Sequence, residues 1–452
     1  MQMNSRRSFI KSAAALAGSA LAPNLLLGQK DALKQLNVAV IGCSGKGFSD
    51  LQEIATGNHI SFLCDIDQGR AKRAMDAFPQ AKYFSDYREM FASVADQIDV
   101  VTVSTPDHMH FPIAVEAIRL GKPVMVQKPL CNNLWETRAL ANYAKEKNVL
   151  TVMGNQGATL EGTRILREWI ESGVIGEVTE VYYWTNRPIW PQGMGLQFPA
   201  QPVPAEINWD VWQGTVANER PYNPGIHPFK WRGFWDYGCG ALGDIGCHSF
   251  NSAFWALDLN GDFVVEASKV SEFDDIIAPM RSTLIYQFPA KGKRGAVKVV
   301  WQDGVNDPNT DKEFVRPPGI PADLELNSDF GQVFVGTKGV LFVNDAYCGT
   351  SPKVFPESLM QEARKTPKVY PRVTGGPTQE LCRAIRGDGP KPVSNFVDHA
   401  GPLTEMVLVG NLAVRLGKKI DWDMKNMDAR GLPELKSMLK RKYRAGWEPK
   451  LV

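Results

Sequence analysis

Lys128 is the first residue whose type and position suggest chemistry. It follows the short apolar run Val124–Val126 and precedes Pro129, which ends the strand that this run predicts. In open parallel α/β sheets, ligands bind at the carboxyl ends of the strands. A lysine held at such an end can meet a substrate hydroxyl, so Lys128 is a candidate for proton transfer.

Asp244 and His248 form the second candidate group. If the glycine-rich residues 238–248 are helical beyond Ala241, the two side chains share one helix face. A carboxylate one turn from an imidazole can orient the ring and raise its basicity. Taken alone, the pair fits equally well a helix-capping aspartate and a hydrogen-bonded core histidine.

A cofactor site is indicated near the beginning of the chain. The β-branched residues 36–41 lead directly into a glycine-rich turn, and residues 48–56 look helical. Strand, turn and helix form the setting of a dinucleotide fingerprint, in which a pyrophosphate sits on the helix N-terminus. The spacing departs from the usual pattern because Ser44 replaces the second glycine. The turn residues expected to contact the cofactor are Gly42, Ser44, Gly45, Lys46 and Gly47.

The next predicted strand ends at Asp65, about twenty residues beyond the turn. An acidic side chain there accepts hydrogen bonds from the ribose hydroxyls and repels a 2′-phosphate, so NAD is favoured over NADP. Arg70 lies nearby and weakens that preference. Alone, Asp65 fits a capping or turn residue as well.

Further strand ends extend the expected cofactor wall. Residues 99–106 form a buried strand, and the loop after it carries two histidines two positions apart. No Cys or Glu partner stands nearby, so a place beside the nicotinamide is favoured over a metal site, and no metal is expected. The candidates on these strand ends are Ser104, Thr105, Pro106, His108, His110, Gln127, Lys128, Asn155 and Gln156.

The chain changes character after residue 155. Seven of the 12 tryptophans lie between Trp184 and Trp255, in a region rich in Pro and Gly. Flat aromatic faces with a polar edge suit stacking on sugar rings, although they also pack long loops together. The substrate candidates here are Trp190, Trp231, Arg232 and Trp235, with Lys128, Asp244 and His248. Residues 178–185, 281–288, 296–302, 332–335 and 340–344 read as strands, and residues 397–416 as a helix.

The first 30 residues resemble a twin-arginine export signal. Arg6 and Arg7 precede an Ala/Leu-rich segment, residues 13–27, which is too short and broken to span a membrane. The alternative is a disordered basic N-terminus with a chance Arg-Arg pair. We expect a periplasmic or otherwise exported protein with no stable membrane span after signal removal. The net charge of +2 gives no reason to expect nucleic acid, and 7 scattered cysteines do not form a disulfide framework.

Together these motifs resemble the Gfo/Idh/MocA family of nicotinamide-dependent sugar and polyol oxidoreductases. The family's Glu-Lys-Pro motif appears as Gln127-Lys128-Pro129, and its Asp-x-Gly-x-His motif ends at His248. The resemblance implies an α/β Rossmann domain at residues 34–155. It also implies an α+β domain at residues 156–452, with an open, mainly antiparallel sheet, and a homodimer or homotetramer.

The resemblance also implies residue roles. Lys128 would bind the reacting hydroxyl and take part in proton transfer. His248 would be the general acid/base, and Asp244 would support the substrate or His248. Gln127 departs from the family's glutamate and cannot be an ion partner for Lys128. A buried lysine without such a partner would have a lowered pKa.

Export and a nicotinamide cofactor together predict a closed hydride cycle. No NAD pool is expected outside the cytoplasm, so the protein should hold its cofactor and return the hydride within each turnover. This fits an oxidoreductase acting on a sugar or glycoside hydroxyl. It also fits a glycosidase that works by transient oxidation, elimination, hydration and re-reduction. Retention of Lys128 favours the oxidoreductase over the glycosidase. A catalytically silent sugar-binding protein is the third hypothesis.

Overall fold

The computed structural model describes residues 35–451. The expected export signal at residues 1–30 lies outside the described part of the chain. Within the described part, no helix combines the length and the apolar character needed to cross a membrane.

The N-terminal half forms a Rossmann sheet of six parallel strands in the order β3-β2-β1-β4-β5-β6. Its inner strands are short, mainly apolar runs that are largely buried on both faces, as parallel sheets require, whereas the edge strand at residues 82–84 begins with an exposed lysine. The strands are β1 (Asn37–Ile41), β2 (His59–Cys64), β3 (Lys82–Phe84), β4 (Val100–Val103), β5 (Val124–Val126) and β6 (Thr151–Met153). The helices between them are α1 (Lys46–Ile54), α2 (Gln68–Ala77), α3 (Tyr87–Val94), α4 (His110–Arg119) and α5 (Leu134–Glu146).

The C-terminal half is built on a nine-stranded sheet in the order β13-β12-β11-β7-β10-β9-β8-β14-β15. Every neighbouring pair is antiparallel except β7 and β10. The mainly antiparallel second sheet predicted from the sequence is therefore confirmed. The strands are β7 (Val178–Thr185), β8 (Phe263–Val270), β9 (Ser282–Phe288), β10 (Val297–Asp303), β11 (Phe330–Gly336), β12 (Val340–Val343), β13 (Lys353–Phe355), β14 (Ile420–Asp423) and β15 (Asp428–Ala429).

Two C-terminal helices join the halves. The remaining helices are α6 (Glu161–Glu171), α7 (Trp209–Gln213), α8 (Cys247–Ala256), α9 (Met360–Ala363), α10 (Gly376–Arg386) and α11 (Gly401–Leu416). The apolar helix α11 packs against α5 and β8, so one hydrophobic core runs through both halves. Helix α10 packs on α1, where the backbone N–H of Thr378 donates to Glu53 across 3.0 Å. The two halves are therefore joined by shared packing as well as by the connecting chain.

Candidate functional site

A cleft of about 400 Å³ lies at the carboxyl ends of β1, β2, β4 and β5. Its opposite wall comes from the C-terminal half. The cleft collects most of the residues that the sequence singled out: Gly42, Ser44, Gly45, Lys46, Asp65, Ser104, Thr105, Pro106, Gln127, Lys128, Gln156, Trp231, Arg232, Asp244 and His248. Gly47, His108, His110, Asn155, Trp190 and Trp235 do not line it.

The glycine-rich turn has the geometry that a dinucleotide needs. Gly42 has φ 77°, and a Cβ at this position would lie 2.6 Å from the carbonyl oxygen of Ser104. A Cβ on Gly47 would lie 1.8 Å from the carbonyl oxygen of Gly42, so Gly47 serves the tightness of the turn rather than the cleft wall. The bare backbone and the N-terminus of α1 form a cradle for a pyrophosphate. These residues fit NAD.

Asp65 supports the same turn from the end of β2. Its carboxylate accepts hydrogen bonds from the backbone N–H groups of Cys43 and Asp67, each across 3.1 Å. Burial raises the pKa of Asp65 above its ordinary value. The side chain also lines the cleft, so bracing the turn and binding ribose are compatible roles. Arg70 lies close to the turn as well, with a guanidinium nitrogen 3.5 Å from the Cβ that Gly45 lacks.

Lys128 and Asp244 form a largely buried ion pair between the N-terminal and C-terminal halves, in which each side chain is 14% exposed. Lys128 Nζ donates to Asp244 Oδ1 and to the Asp244 carbonyl oxygen, both across 2.8 Å. Arg232 Nε donates to the same Oδ1 across 3.2 Å. Burial opposes ionisation of Asp244, but the two cations outweigh it and hold the pKa of this carboxyl well below its usual range. The expectation of a lysine without an ion partner is therefore corrected, because Asp244 is the ion partner of Lys128.

Asp244 does not orient His248, contrary to the expectation from their spacing. Residues Leu242–Gly246 form a π-helical turn, and α8 begins only at Cys247. A π turn holds more residues than an α turn, so side chains four apart are no longer aligned. The carboxylate points instead to Lys128 and Arg232.

His248 is positioned by Asn155, which lies behind the cleft wall. Asn155 Nδ2 donates to the carbonyl oxygen of Cys247 across 2.8 Å, so its Oδ1 must face His248 Nδ1, 3.2 Å away. Nδ1 then carries the hydrogen, and Nε2 of the neutral ring keeps its lone pair. Burial and the charge of Lys128 lower the pKa of His248 well below its ordinary value. The ring is a neutral base at physiological pH.

Gln127 has an acidic neighbour, Asp50, that the sequence did not reveal. Its Nε2 donates to Asp50 Oδ2 across 2.9 Å, and Ser104 Oγ donates to the same oxygen across 2.7 Å. Lys46 pairs with the other oxygen of Asp50. An acidic side chain therefore lies beside position 127, but it belongs to Asp50 on α1.

The two loop histidines support the wall from behind rather than lining it. His108 Nε2 lies 2.7 Å from the carbonyl oxygen of Trp212, and His110 Nδ1 lies 2.8 Å from that of Pro129. Burial lowers the pKa of both, to about 3 for His108 and about 4 for His110. The described residues contain no group of three or more His, Cys, Asp or Glu side chains suited to a metal ion.

Two of the three tryptophan candidates lie away from the cleft. Trp190 is 3% exposed and donates to Gln192 Oε1 across 2.7 Å. Trp235 borders a separate small cavity and lies under the guanidinium of Arg415. Trp231 lines the cleft, with the Arg232 guanidinium 4.4 Å from its ring centre. For Trp190 and Trp235, loop packing is the role that the structure displays.

Several cleft residues escaped the sequence reasoning: Asp107, Arg187, Phe229 and Tyr347. Asp107 is the most telling of them, because burial raises the pKa of its carboxyl to about 7 while Arg232 and Lys128 act in the opposite direction. Its position just after Pro106, at the same strand end as Ser104, was the available signal. Phe229 is 43% exposed beside Arg232 and offers an apolar face at the cleft.

Comparison with known proteins agrees with this architecture. Residues 36–155 match the family model described as an oxidoreductase family NAD-binding Rossmann fold. Residues 165–304 match the model for the same oxidoreductase family's C-terminal alpha/beta domain. The two models together span more than half of the chain.

Curated relatives match over shorter segments. Inositol 2-dehydrogenase of Corynebacterium glutamicum is 33% identical over 100 residues, which are 22% of this chain and 29% of that enzyme. A glycosyl hydrolase family 109 protein of Shewanella sp. strain ANA-3 is 25% identical over 205 residues, covering 38% of this chain and 44% of that protein. The matches thus span less than half the length of these curated relatives.

A solved structure extends the likeness in fold to most of the molecule. The aldose-aldose oxidoreductase of Caulobacter crescentus, complexed with glycerol, superposes with a TM-score of 0.57 at 16% identity, over 86% of this chain and 100% of that chain. With both family models matched and the fold, glycine-rich turn and Lys-Pro motif in place, the chain belongs to the Gfo/Idh/MocA oxidoreductase family and carries its NAD-binding Rossmann domain.

Proposed function

We propose that this protein is an NAD-dependent oxidoreductase that acts on a hydroxyl of a sugar or glycoside. The observation that carries the proposal is the ion pair of Lys128 and Asp244 beside the neutral base His248, in the cleft of an NAD-binding domain. NAD, when bound, accepts or returns a hydride at the carbon of the reacting hydroxyl. The protein must orient that hydroxyl and move its proton.

The cleft residues divide these tasks. The Lys128 ammonium donates hydrogen bonds to the substrate oxygen and stabilises negative charge that develops there. Asp244 and Arg232 fix the position of Lys128. His248 Nε2 takes the hydroxyl proton, and Asn155 holds the ring in the tautomer that allows it. Asp244, already held by two cations, stays ionised throughout.

We further propose that the cofactor is retained and recycled within each turnover. The expected export signal carries this part, because a protein outside the cytoplasm would meet no NAD pool. The test is a spectrum and mass analysis of the purified full-length chain, followed by a sugar screen without added NAD. Bound nicotinamide that is reduced by a sugar and reoxidised by a second sugar would support the proposal. Protein that carries no nicotinamide and takes up none would contradict it.

A redox-neutral glycosidase is the second candidate, favoured by the family 109 glycosyl hydrolase among the relatives. Transient oxidation of a sugar acidifies the neighbouring C–H, after which the glycosidic substituent is eliminated, water adds and the hydride returns. Aryl glycosides incubated without added NAD separate the two activities. Release of the aglycone supports the glycosidase, whereas its absence across several sugars supports the oxidoreductase. A silent sugar-binding protein would bind sugar and leave the nicotinamide spectrum unchanged.

A further inference from the structure

A segment of the C-terminal half reaches across the cofactor end of the Rossmann sheet. We call residues 204–228 the strap. Its backbone pairs with the residues that follow β2: Gln68 N–H donates to the Glu206 carbonyl across 3.0 Å, and Asn208 N–H donates to the Ile66 carbonyl across 2.7 Å. The strap therefore lies beside Asp65, where the dinucleotide fingerprint places the adenosine ribose.

The strap is also tied to the loop after β4. His108 Nε2 lies 2.7 Å from the Trp212 carbonyl oxygen, so this histidine joins the Rossmann half to the strap. The Trp212 ring stacks on Trp209 with ring centres 4.2 Å apart. Trp212 is buried and lines the cleft. The strap is thus a packed element that forms part of the cofactor wall.

His227 is one of three strap residues, with Trp212 and Arg220, that have a buried side-chain nitrogen without a hydrogen-bond partner among the described residues. It is 8% exposed and lines the cleft. Its Nε2 lies 2.9 Å from Asp67 Oδ2, which links the strap to the residue two positions after Asp65. Its Nδ1 is buried and has no hydrogen-bond partner among the described residues.

A buried polar atom without a partner costs free energy, and such atoms in folded proteins normally meet a ligand or water. The other ring nitrogen, Nε2, is already in contact with Asp67. Nδ1 belongs to a residue that lines the cleft at its ribose end. A group of the bound dinucleotide is the partner that this position would meet.

We propose that His227 is a cofactor-binding residue supplied by the C-terminal half. Its Nδ1 binds the adenosine portion of NAD, while its contact with Asp67 latches the strap over the cofactor. Release of NAD then requires the strap to detach from the residues after β2. The inference rests on the proposed use of NAD and is independent of the substrate. It gives a physical basis for a cofactor that stays bound between turnovers.

Two isosteric substitutions separate the latch from the cofactor contact. His227→Gln places an amide near the position of Nε2, so the contact with Asp67 survives and Nδ1 is lost. His227→Asn places an amide near Nδ1 and removes the latch. The matched control is His59→Phe, because His59 is exposed at the start of β2, the end of the strand away from the cleft.

The experiment follows exchange of isotopically labelled NAD into the full-length protein, separated by rapid gel filtration. We expect slow exchange in the wild type and in the control, and at least tenfold faster exchange in both His227 variants. Melting temperatures of the cofactor-free proteins check that each variant folds. An unfolded variant is replaced by Asp67→Asn, which weakens the same latch and is expected to speed exchange.

Each result decides one part of the inference. Wild-type exchange rates in His227→Gln overturn the cofactor contact, and wild-type rates in His227→Asn overturn the latch. Exchange of the wild type within the mixing time overturns the strap closure while leaving the oxidoreductase intact. A wild type that binds no NAD at saturating concentration overturns the proposed function as well, and is thereby distinguished from the other failures.

Discussion

The carboxamide of Gln127 donates a hydrogen bond to the buried carboxylate of Asp50 across 2.9 Å. This contact accounts for the departure from the family's glutamate at position 127. Asp50 is 2% exposed and also accepts from Ser104 and Lys46, so this part of the structure already contains an acidic side chain. A neutral donor at position 127 completes that network, whereas a second carboxylate would oppose it.

Gln127→Glu is therefore expected to destabilise the protein. The new carboxylate loses the donor and repels Asp50, which should lower the free energy of unfolding by about 1–3 kcal/mol at pH 8. The penalty should shrink at pH 5, where a proton shared between the two neighbouring carboxyl groups relieves their repulsion. Urea denaturation at both pH values measures the effect.

The exchange variant Asp50→Asn/Gln127→Glu is the control for that prediction. It restores one amide donor and one carboxylate in reversed positions, and should recover part of the lost stability. A double variant as unstable as the sum of its single changes would show that the contact between the two side chains does not matter.

Lys128→Ala should abolish turnover and leave NAD bound. Removing the ammonium takes away the hydrogen-bond donor that stabilises charge on the substrate oxygen, and the loss of one such donor typically lowers kcat by about 100-fold to 1000-fold. Nicotinamide absorbance of the purified variant reports cofactor content, and the sugar screen reports turnover. Lys145→Ala, on the exposed face of α5, is the matched control. Unchanged activity in Lys128→Ala would refute the role of this lysine.

Asn155→Asp should move the pH profile of the reaction. A carboxylate beside His248 Nδ1 favours the imidazolium, so the pKa of the ring rises and the acidic limb of kcat/KM moves to higher pH. Asn155→Ala should instead lower kcat about 10-fold or more without moving that limb, because it loosens the ring only. Profiles of both variants that superimpose on the wild type would mean that His248 is not the titrating base.

Asp107→Asn tests the buried carboxyl that the sequence reasoning missed. The folded-state pKa of Asp107 is raised to about 7 from 3.8, so its contribution to stability is lost as pH rises from about 4 to 7. The asparagine variant lacks this loss. Its stability relative to the wild type should increase by up to about 1.4 kcal/mol per pH unit over that window and level off above it. Denaturation curves from pH 4 to 8 measure the difference, and a constant difference would contradict the buried, protonated state.

The local elements of this protein follow from local residue patterns. The apolar runs predicted five of the six strands of the Rossmann half, and residues 178–185 coincide with β7. The strand β3 was not predicted, and β4 ends at Val103, three residues before the predicted end at residue 106. The glycine-rich turn placed the cofactor end of the cleft for the same reason, because backbone approach depends on residues adjacent in the chain. The Gln127-Lys128-Pro129 motif could be recognised in the same way, because its residues are adjacent in the chain.

The partners of these residues were decided only by tertiary structure. Asp50 meets Gln127 because α1 packs against β4, the neighbour of β5 in the sheet, and Asn155 meets His248 because the segment after β6 packs against α8. Neither pair has a characteristic spacing in the sequence. The π turn before α8 redirects Asp244 to Lys128, which a helical spacing argument cannot foresee. The sequence alone determined which candidate residues stand at the ends of the strands. Long-range packing decided which side chains contact each other. Hydrogen bonds and ion pairs depend on distances of a few ångströms in space, and these distances do not follow from separation along the chain.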